Sequence, residues 1–353
     1  MLVTGDQGYI GTVLTETLQG RGYDVVGLDC GYYADCLLYP VDANYRRIVR
    51  DIRAVRPEDL AGVDAIVHLA GLSNDPLGEM APSLTDDINR DAAIRLGKLA
   101  KQAGVRRFVY ASSQSMYGVS KVDVELDEDD SEKNPVTAYA RTKWEAELAL
   151  KALGSPDFTV VCMRPSTAFG ASARLRCDIV FNNLVACAYT TGRIEIKSDG
   201  TPWRPAVHVR DIGAAFIAGL EAPAALVANR SYNVGIPNGN FSVRDLAEAA
   251  GRAVPGCEVV YTGEHGSDAR TYRVSFARIL NELRDWYKPE WDLDRGGAEL
   301  VALFKRANLS EADFRGRKTI RLAQLKHLAA KGEIDDSLQW RTGAPQLKTE
   351  AML

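Results

Sequence analysis

Across 353 residues the chain holds four histidines and six cysteines. The cysteines, at positions 30, 36, 162, 177, 187 and 257, form no CxxC pair and no zinc-like spacing with histidine. Metal chemistry therefore has no ligand set here, and reduced thiols in a cytosolic protein are the simplest reading. No apolar run approaches the roughly 18 residues that a bilayer span requires. Because a loop glycine already stands at Gly5, no room is left for a signal peptide, and a cytoplasmic location is expected. Neither sign of charge dominates: 43 Lys and Arg face 47 Asp and Glu, so a basic surface for nucleic acid is not expected. Internal repeats are absent as well.

What is present is enough apolar material for a sizeable core, 46% of residues with 25% charged. At domain sizes of about 100 to 200 residues, the length suits one large domain or two modest ones. Strand-like runs at Met1 to Val3, Asp24 to Asp29, Arg47 to Arg50, Ala65 to Ala70, Arg107 to Ala111 and Thr159 to Arg164 alternate with helix-like stretches at Gly11 to Gln19, Thr85 to Gln102 and Thr137 to Leu153. That alternation predicts an α/β fold with a doubly wound parallel sheet of the Rossmann type. Ligands of such sheets sit beyond the carboxyl ends of the strands, where Gly5, Asp29, Gly71 and Ser113 fall. After Arg164 the pattern loosens, with helices expected near Asp178 to Thr190, Asp211 to Glu221, Val243 to Ala253, Ala298 to Ala307 and Arg321 to Ala330. The division expected is a nucleotide-binding domain over 1–165 with a returning segment near 204–235. A smaller, mostly helical substrate lobe is expected over 166–203 and 236–353. The acidic run Asp123 to Glu132 reads as a solvated loop, and the tail after Trp340 reads as frayed.

Between the first strand and first helix lies Val3-Thr4-Gly5-Asp6-Gln7-Gly8-Tyr9-Ile10-Gly11. Glycines three residues apart permit a tight turn and close approach of backbone N–H groups to a pyrophosphate at a helix N-terminus. Gly5, Gln7, Gly8, Tyr9, Ile10 and Gly11 are thus candidate dinucleotide contacts. Asp29 ends the second strand, where a carboxylate accepts hydrogen bonds from ribose hydroxyls and disfavours a 2′-phosphate, which points to NAD; Arg46 or Arg47 could offset that preference. Asp51 and Ile52, after the third strand, are placed to flank the adenine.

Tyr139-Ala140-Arg141-Thr142-Lys143 opens a stretch rich in Ala, Leu, Glu and Lys. Residues four apart share a helical face, and an ammonium beside a phenol lowers its pKa from about 10 toward neutrality, which makes a base. The same spacing recurs at Tyr117 and Lys121, but Gly118, Val119 and Ser120 intervene, so a loop is expected there.

With VTGDQGYIG, Asp29, VHLAG, YASSQSMYG and YARTK in this order, the chain resembles the extended short-chain dehydrogenase/reductase family, in its NAD-dependent nucleotide-sugar epimerase and dehydratase branch. The resemblance implies that Tyr139 is the catalytic base, that Lys143 lowers its pKa and binds the nicotinamide ribose, and that Ser113 bonds the reacting sugar oxygen. Leu69, Ala70, Gly71, Ser112 and Pro165 would line the cofactor, with Asn89 supporting it from the following helix. A nucleotide-diphosphate sugar would be held by Ser113, Gln114, Ser115, Thr167, Asn182, Asn183, Arg204 and Arg270, with Arg164 and Ser166 close by. Many relatives place the last arginine several residues earlier, where this chain has His265. His208 reads as a core strand histidine.

The 4,6-dehydratases of this branch follow the serine or threonine with Asp-Glu, whereas this chain has Gln114 and Ser115. Without those proton carriers, the resemblance implies a 4-epimerase: oxidation at sugar position 4, rotation of the keto sugar and hydride return to its other face. A one-way 4-dehydrogenase or ketoreductase, a dehydratase, and a non-catalytic nucleotide-binding protein are the alternatives. A homodimer packed through Thr85 to Gln102 and Thr137 to Leu153 is also implied.

Overall fold

The computed structural model describes residues 1–41, 44–73, 82–120, 123–264 and 271–341. Lys121, His265, Arg270 and the tail beyond residue 341 lie outside the described residues. Seven strands form one parallel sheet: β1 (Leu2–Thr4), β2 (Val26–Asp29), β3 (Arg46–Val49), β4 (Ala65–His68), β5 (Arg107–Ala111), β6 (Thr159–Pro165) and β7 (Arg230–Val234). Their spatial order is β7-β6-β5-β4-β1-β2-β3, so the direction of winding reverses between β1 and β4. Val3 lies in register with Gly27 on one side and Val67 on the other, which puts Gly5 at the mouth of the crevice that this reversal opens.

Successive side chains of a strand face opposite layers, and both layers here are apolar. From β5, Phe108 and Tyr110 join one core with Cys162, while Val109 joins the other with Val161. The first core is closed by α2 (Ala92–Gln102) and α3 (Ala138–Ala152), through Leu96, Ala100, Ala146 and Leu150. The second is closed by α1 (Tyr9–Gly20) and α5 (Val209–Glu221), through Leu14, Leu18, Ile212 and Phe216. A third core belongs to α4 (Val180–Thr191), α6 (Val243–Ala253) and α7 (Leu293–Arg306), beside a small sheet of Thr167–Phe169, Trp203–His208 and Asn240–Ser242.

Three elements depart from the sequence reading. The helix expected from Thr85 to Gln102 is interrupted by a π-helical turn, Asp86–Asp91, a distortion that re-aims side chains at ligand sites. The acidic run is not wholly solvated: Glu128 is buried and accepts the Asn233 backbone N–H at 2.8 Å, because Glu125–Leu126 pairs with Arg273–Val274 and draws the loop inward. Finally, α8 (Arg321–Ala330) does not stay with the helical lobe; Leu325, Leu328, Ile334 and Leu338 join the core beneath β2, β4 and β5.

Gly11 sets how closely α1 approaches β1. A Cβ there would lie 2.0 Å from the Gly5 carbonyl oxygen and 2.8 Å from the Asp6 Cα, whereas one at Gly20 meets nothing within 4 Å among the described residues. Backbone cannot yield as a flexible side chain does, so Gly11→Ala is expected to cost about 1–3 kcal/mol in denaturant unfolding. Gly20→Ala should be neutral or stabilising by up to about 1 kcal/mol. Equal effects at the two positions would contradict this packing.

Candidate active site

One cavity of ≈ 520 Å³ runs along the carboxyl ends of the strands. Of the candidates, Gly5, Gly8, Tyr9, Ile10, Gly11, Asp29, Asp51, Ile52, Leu69, Ala70, Gly71, Ser112, Ser113, Gln114, Ser115, Tyr139, Lys143, Pro165, Thr167 and Arg204 line it. Gly5 takes φ +72° and packs its Cα side against Ala70, a turn only glycine makes without strain. The N-cap of α1 is Gly8, which offers no side-chain cap, so the first-turn N–H groups are left for an anion. Asp29 accepts the Gly31 N–H at 2.7 Å and the Gln7 N–H at 3.3 Å; burial nevertheless holds its carboxyl above the ordinary range. Asp6, also buried, is pushed up to about 7, first by desolvation and then by Asp29. Of these two carboxyls, Asp29 lines the cavity and Asp6 lies buried behind it. Arg47, the residue that could offset them, lies over the Tyr45 ring at 4.9 Å and reaches Asp6 at 3.7 Å. The residues present fit a dinucleotide without a 2′-phosphate.

Gln7 and Asn89 act behind the cavity wall. The Gln7 side chain accepts from Arg174 at 3.1 Å. The Asn89 amide brackets the backbone of Leu72, accepting its N–H at 2.8 Å and donating to its carbonyl at 3.0 Å, which stiffens the loop that follows β4. The π-helical turn is what presents Asn89 to that loop.

Helix α3 brings Tyr139 and Lys143 to the cavity. Its N-cap Thr137 accepts the Ala140 N–H at 3.2 Å, and Tyr139, Lys143 and Glu147 follow at four-residue spacing, one above the other. Lys143 is buried beneath the cavity, donates to the Ala111 carbonyl at 2.8 Å and lies 5.1 Å over the Tyr110 ring. Desolvation brings its ammonium down to about 8. The nearby His68 is driven down to about 3 by burial and then by Lys143, so it stays neutral. At the foot of the face, Glu147 is fully buried and pairs with Arg164 at 2.6 Å. It also accepts from Ser112 at 2.5 Å and from Ser231 at 2.7 Å. Burial pushes its carboxyl up, but Arg164 and the two hydroxyls outweigh that and leave it below its ordinary value.

Some expectations are corrected; those for Tyr117 and His208 are not among them. Arg164 does not reach toward a substrate: its guanidinium is buried against Glu147, Tyr117 and the Glu128 carbonyl. Tyr117 sits in a 3-10 turn, Gln114–Tyr117, and burial raises its phenol, the wrong direction for a base. Gln114 lines the cavity, but its amide donates to the carbonyls of Arg164 and Val234 and accepts from Ser166. Asn182 is wholly buried and ties Tyr9, Arg176 and Gly170 together, while Asn183 donates to the Cys177 carbonyl; neither lines the cavity. Arg270 lies outside the described residues. Ser113 and Ser115 face one another at 2.8 Å between Oγ atoms, whereas Ser112 turns to Glu147, as strand alternation requires. His208 is buried, stacked on Trp291 and bonded to Glu299 at 2.9 Å. Tyr33, Arg176, Tyr272 and Arg321 line the cavity as well. No spacing signal marked them.

A family model described as the NAD dependent epimerase/dehydratase family matches residues 1–235. The UDP-glucose 4-epimerase of Bacillus subtilis is 27% identical over 335 residues, spanning 86% of this chain and 94% of that protein. Among solved structures, MoeE5 in complex with UDP-glucose and NAD is similar with TM-score 0.72 and 25% identity, over 87% of this chain and 99% of that one. A double mutant of DesIV, a dTDP-glucose 4,6-dehydratase from Streptomyces venezuelae with NAD bound, is similar with TM-score 0.72 and 26% identity, over 86% and 96%.

Lys143 generates a prediction about the cofactor-free protein. Its folded pKa of about 8 lies below the ordinary 10.5, so between those values the unfolded chain holds a proton that the folded chain has released. Stability contributed by this site rises across that window, and the burial cost stands in full below it, at roughly 3 kcal/mol. Lys143→Met should therefore raise the melting temperature at neutral pH, with the gain shrinking as pH climbs past 8. A gain that ignores pH, or no gain, counts against a buried ammonium.

Proposed function

This chain belongs to the NAD dependent epimerase/dehydratase family, and we propose that it is an NAD-dependent nucleotide-sugar 4-epimerase. The observation that carries this reading is a helix-borne Tyr139 and Lys143 at a cavity where no carboxylate follows Ser113. Gln114 stands in the first of the two places that hold acid and base in the 4,6-dehydratases, and its amide protons are committed to backbone carbonyls. The MoeE5 complex with UDP-glucose and NAD and the Bacillus subtilis epimerase support a diphosphate sugar as substrate.

When bound, NAD supplies the hydride acceptor and donor at the sugar carbon. Tyr139 as phenolate takes the proton of the C4 hydroxyl while hydride leaves the same carbon, and returns that proton when hydride comes back. Lys143, charged below about pH 8, favours the phenolate by proximity. The Ser113 and Ser115 hydroxyls orient the same oxygen, and Arg204, on the strand Trp203–His208, suits the substrate diphosphate. Rotation of the keto sugar between the two hydride transfers inverts C4. Assembly as a homodimer through α2 and α3, where Leu148 is exposed, is part of this reading.

Tyr139→Phe should lower kcat by about 10²–10⁴-fold with NAD still bound, the usual weight of a general base. Tyr117→Phe should instead lower the melting temperature, since it strips a buried hydrogen bond from Arg164, and leave kcat within about tenfold. The reverse pattern would reassign the base. In deuterated water, turnover of UDP-glucose and UDP-galactose should place no deuterium on ring carbon; incorporation there would show enolisation or elimination instead.

A further inference from the structure

Two arginines that line the cavity each hold a buried guanidinium nitrogen with no hydrogen-bond partner among the described residues: Nη2 of Arg176 and Nη1 of Arg321. Both side chains are buried, with residue exposures of 7% and 2%. A buried, unpartnered guanidinium nitrogen is costly, and a second cation beside it raises the cost. Arg321 feels the charge of Arg176, and Arg174 stands beside Arg321. Against these three guanidiniums the same wall sets two carboxyls: Asp178, 2.8 Å from Arg176, and Asp29, which burial pushes toward neutrality. The wall is short of negative charge.

Its connections indicate which anion it lacks. Arg321 lies 4.4 Å over the ring of Tyr33, just past the end of β2, and donates to the Arg174 carbonyl at 2.6 Å. Arg174 in turn donates to Gln7 of the glycine loop at 3.1 Å. Arg176 donates to Ser73, just past β4, at 3.0 Å. One of these contacts falls on the glycine loop and the others on the segments that follow β2 and β4; none of the hydrogen bonds reaches Ser113, Ser115, Thr167 or Arg204 on the sugar side, while Arg176 lies within electrostatic range of Tyr139. We propose that Arg176 and Arg321 bind the cofactor diphosphate together with the glycine loop, so that the C-terminal segment is a working part of the dinucleotide site. It rests on the cofactor half of the proposed function and is independent of the epimerase chemistry.

The segment is held for that task. From α8, Gln324 donates to the Tyr32 carbonyl at 2.9 Å and to Asp35 at 3.0 Å. Beyond it, the Trp340 indole donates to the Cys30 carbonyl at 2.8 Å. Arg321 thus reaches the cavity from well outside residues 1–235, the part that matches the family model. With the diphosphate so held, NAD would be retained between turnovers, as an enzyme that returns its own hydride requires.

The test compares ADP-ribose, which carries the cofactor diphosphate without nicotinamide, with UDP, which carries the substrate diphosphate. Each is titrated by calorimetry into nucleotide-stripped wild type, Arg321→Met, Arg321→Lys and Arg176→Met. The melting-temperature rise on adding ADP-ribose is read against each variant's own baseline, so a change in intrinsic stability does not obscure the result. Arg321→Met and Arg176→Met should weaken ADP-ribose about tenfold or more, the weight of a lost charge-assisted hydrogen bond, with Arg321→Lys between and UDP unchanged. Purified Arg321→Met should also carry less NAD per chain than wild type. Unchanged ADP-ribose affinity overturns the proposal, as does a loss confined to UDP, which would give the arginines to the substrate. If wild type itself binds no ADP-ribose, the cofactor reading fails and the proposal with it.

Discussion

The buried pair of Glu147 and Arg164 is the interaction on which the rest of this site depends. Taking both charges out of water is expensive, and the cost is met only where geometry and further hydrogen bonds are complete. Here they are: the carboxylate receives Arg164, Ser112 and Ser231, and the guanidinium also reaches Tyr117 and the Glu128 carbonyl. The pair joins α3 to β6, to the end of β5 and to β7, so the rotation of α3 about its own axis has one value that satisfies every partner. Since Lys143 and Tyr139 lie one and two turns further up the same face, that rotation decides where ammonium and phenol stand. Loss of either partner would leave an uncompensated charge, at about 3–5 kcal/mol, and would release the helix that carries Tyr139 and Lys143.

A second constraint works from the other side of the sheet. The reversal of winding between β1 and β4 opens the crevice, and the glycine contact between α1 and the loop after β1 sets its depth. Asn89, aimed by the π-helical turn, holds the loop after β4 against it. The cavity is thus bounded by backbone at the glycine loop and by helix-mounted side chains at Tyr139 and Lys143, with Ser113 and Ser115 between them. This division suits a reaction in which the cofactor stays fixed and the sugar turns.

The sheet, the glycine loop and the convergence of Ser113, Tyr139 and Lys143 on one cavity were legible because each rests on local signals: alternation of strands and helices, glycine spacing, and helical periodicity. Glu147 was not, although it continues the four-residue stripe of Tyr139 and Lys143. A glutamate on a polar-looking helix reads as solvent-facing until its partner, Arg164 on β6, is known to face it. The same reasoning misplaced Arg164 and Asn182, polar residues next to ligand-like motifs whose hydrogen-bonding groups are taken up by long-range contacts. Arg176 and Arg321 escaped notice because they are brought to the cavity by tertiary packing alone. Glu128 was read as solvated because a charge run carries no mark of the one member that a neighbouring strand pair buries.

The central claim is a closed redox cycle: Tyr139 and Lys143 carry a sugar oxygen through oxidation and back, with no net oxidant consumed. Its most direct test is anaerobic stopped-flow mixing of the NAD-loaded protein with UDP-glucose, following reduced nicotinamide by absorbance and the sugar by NMR. The account predicts a small absorbance rise that decays on the enzyme as UDP-galactose forms, with all nicotinamide remaining protein-bound. Stoichiometric reduced nicotinamide released into solution, with a 4-keto sugar as the end product, would contradict it.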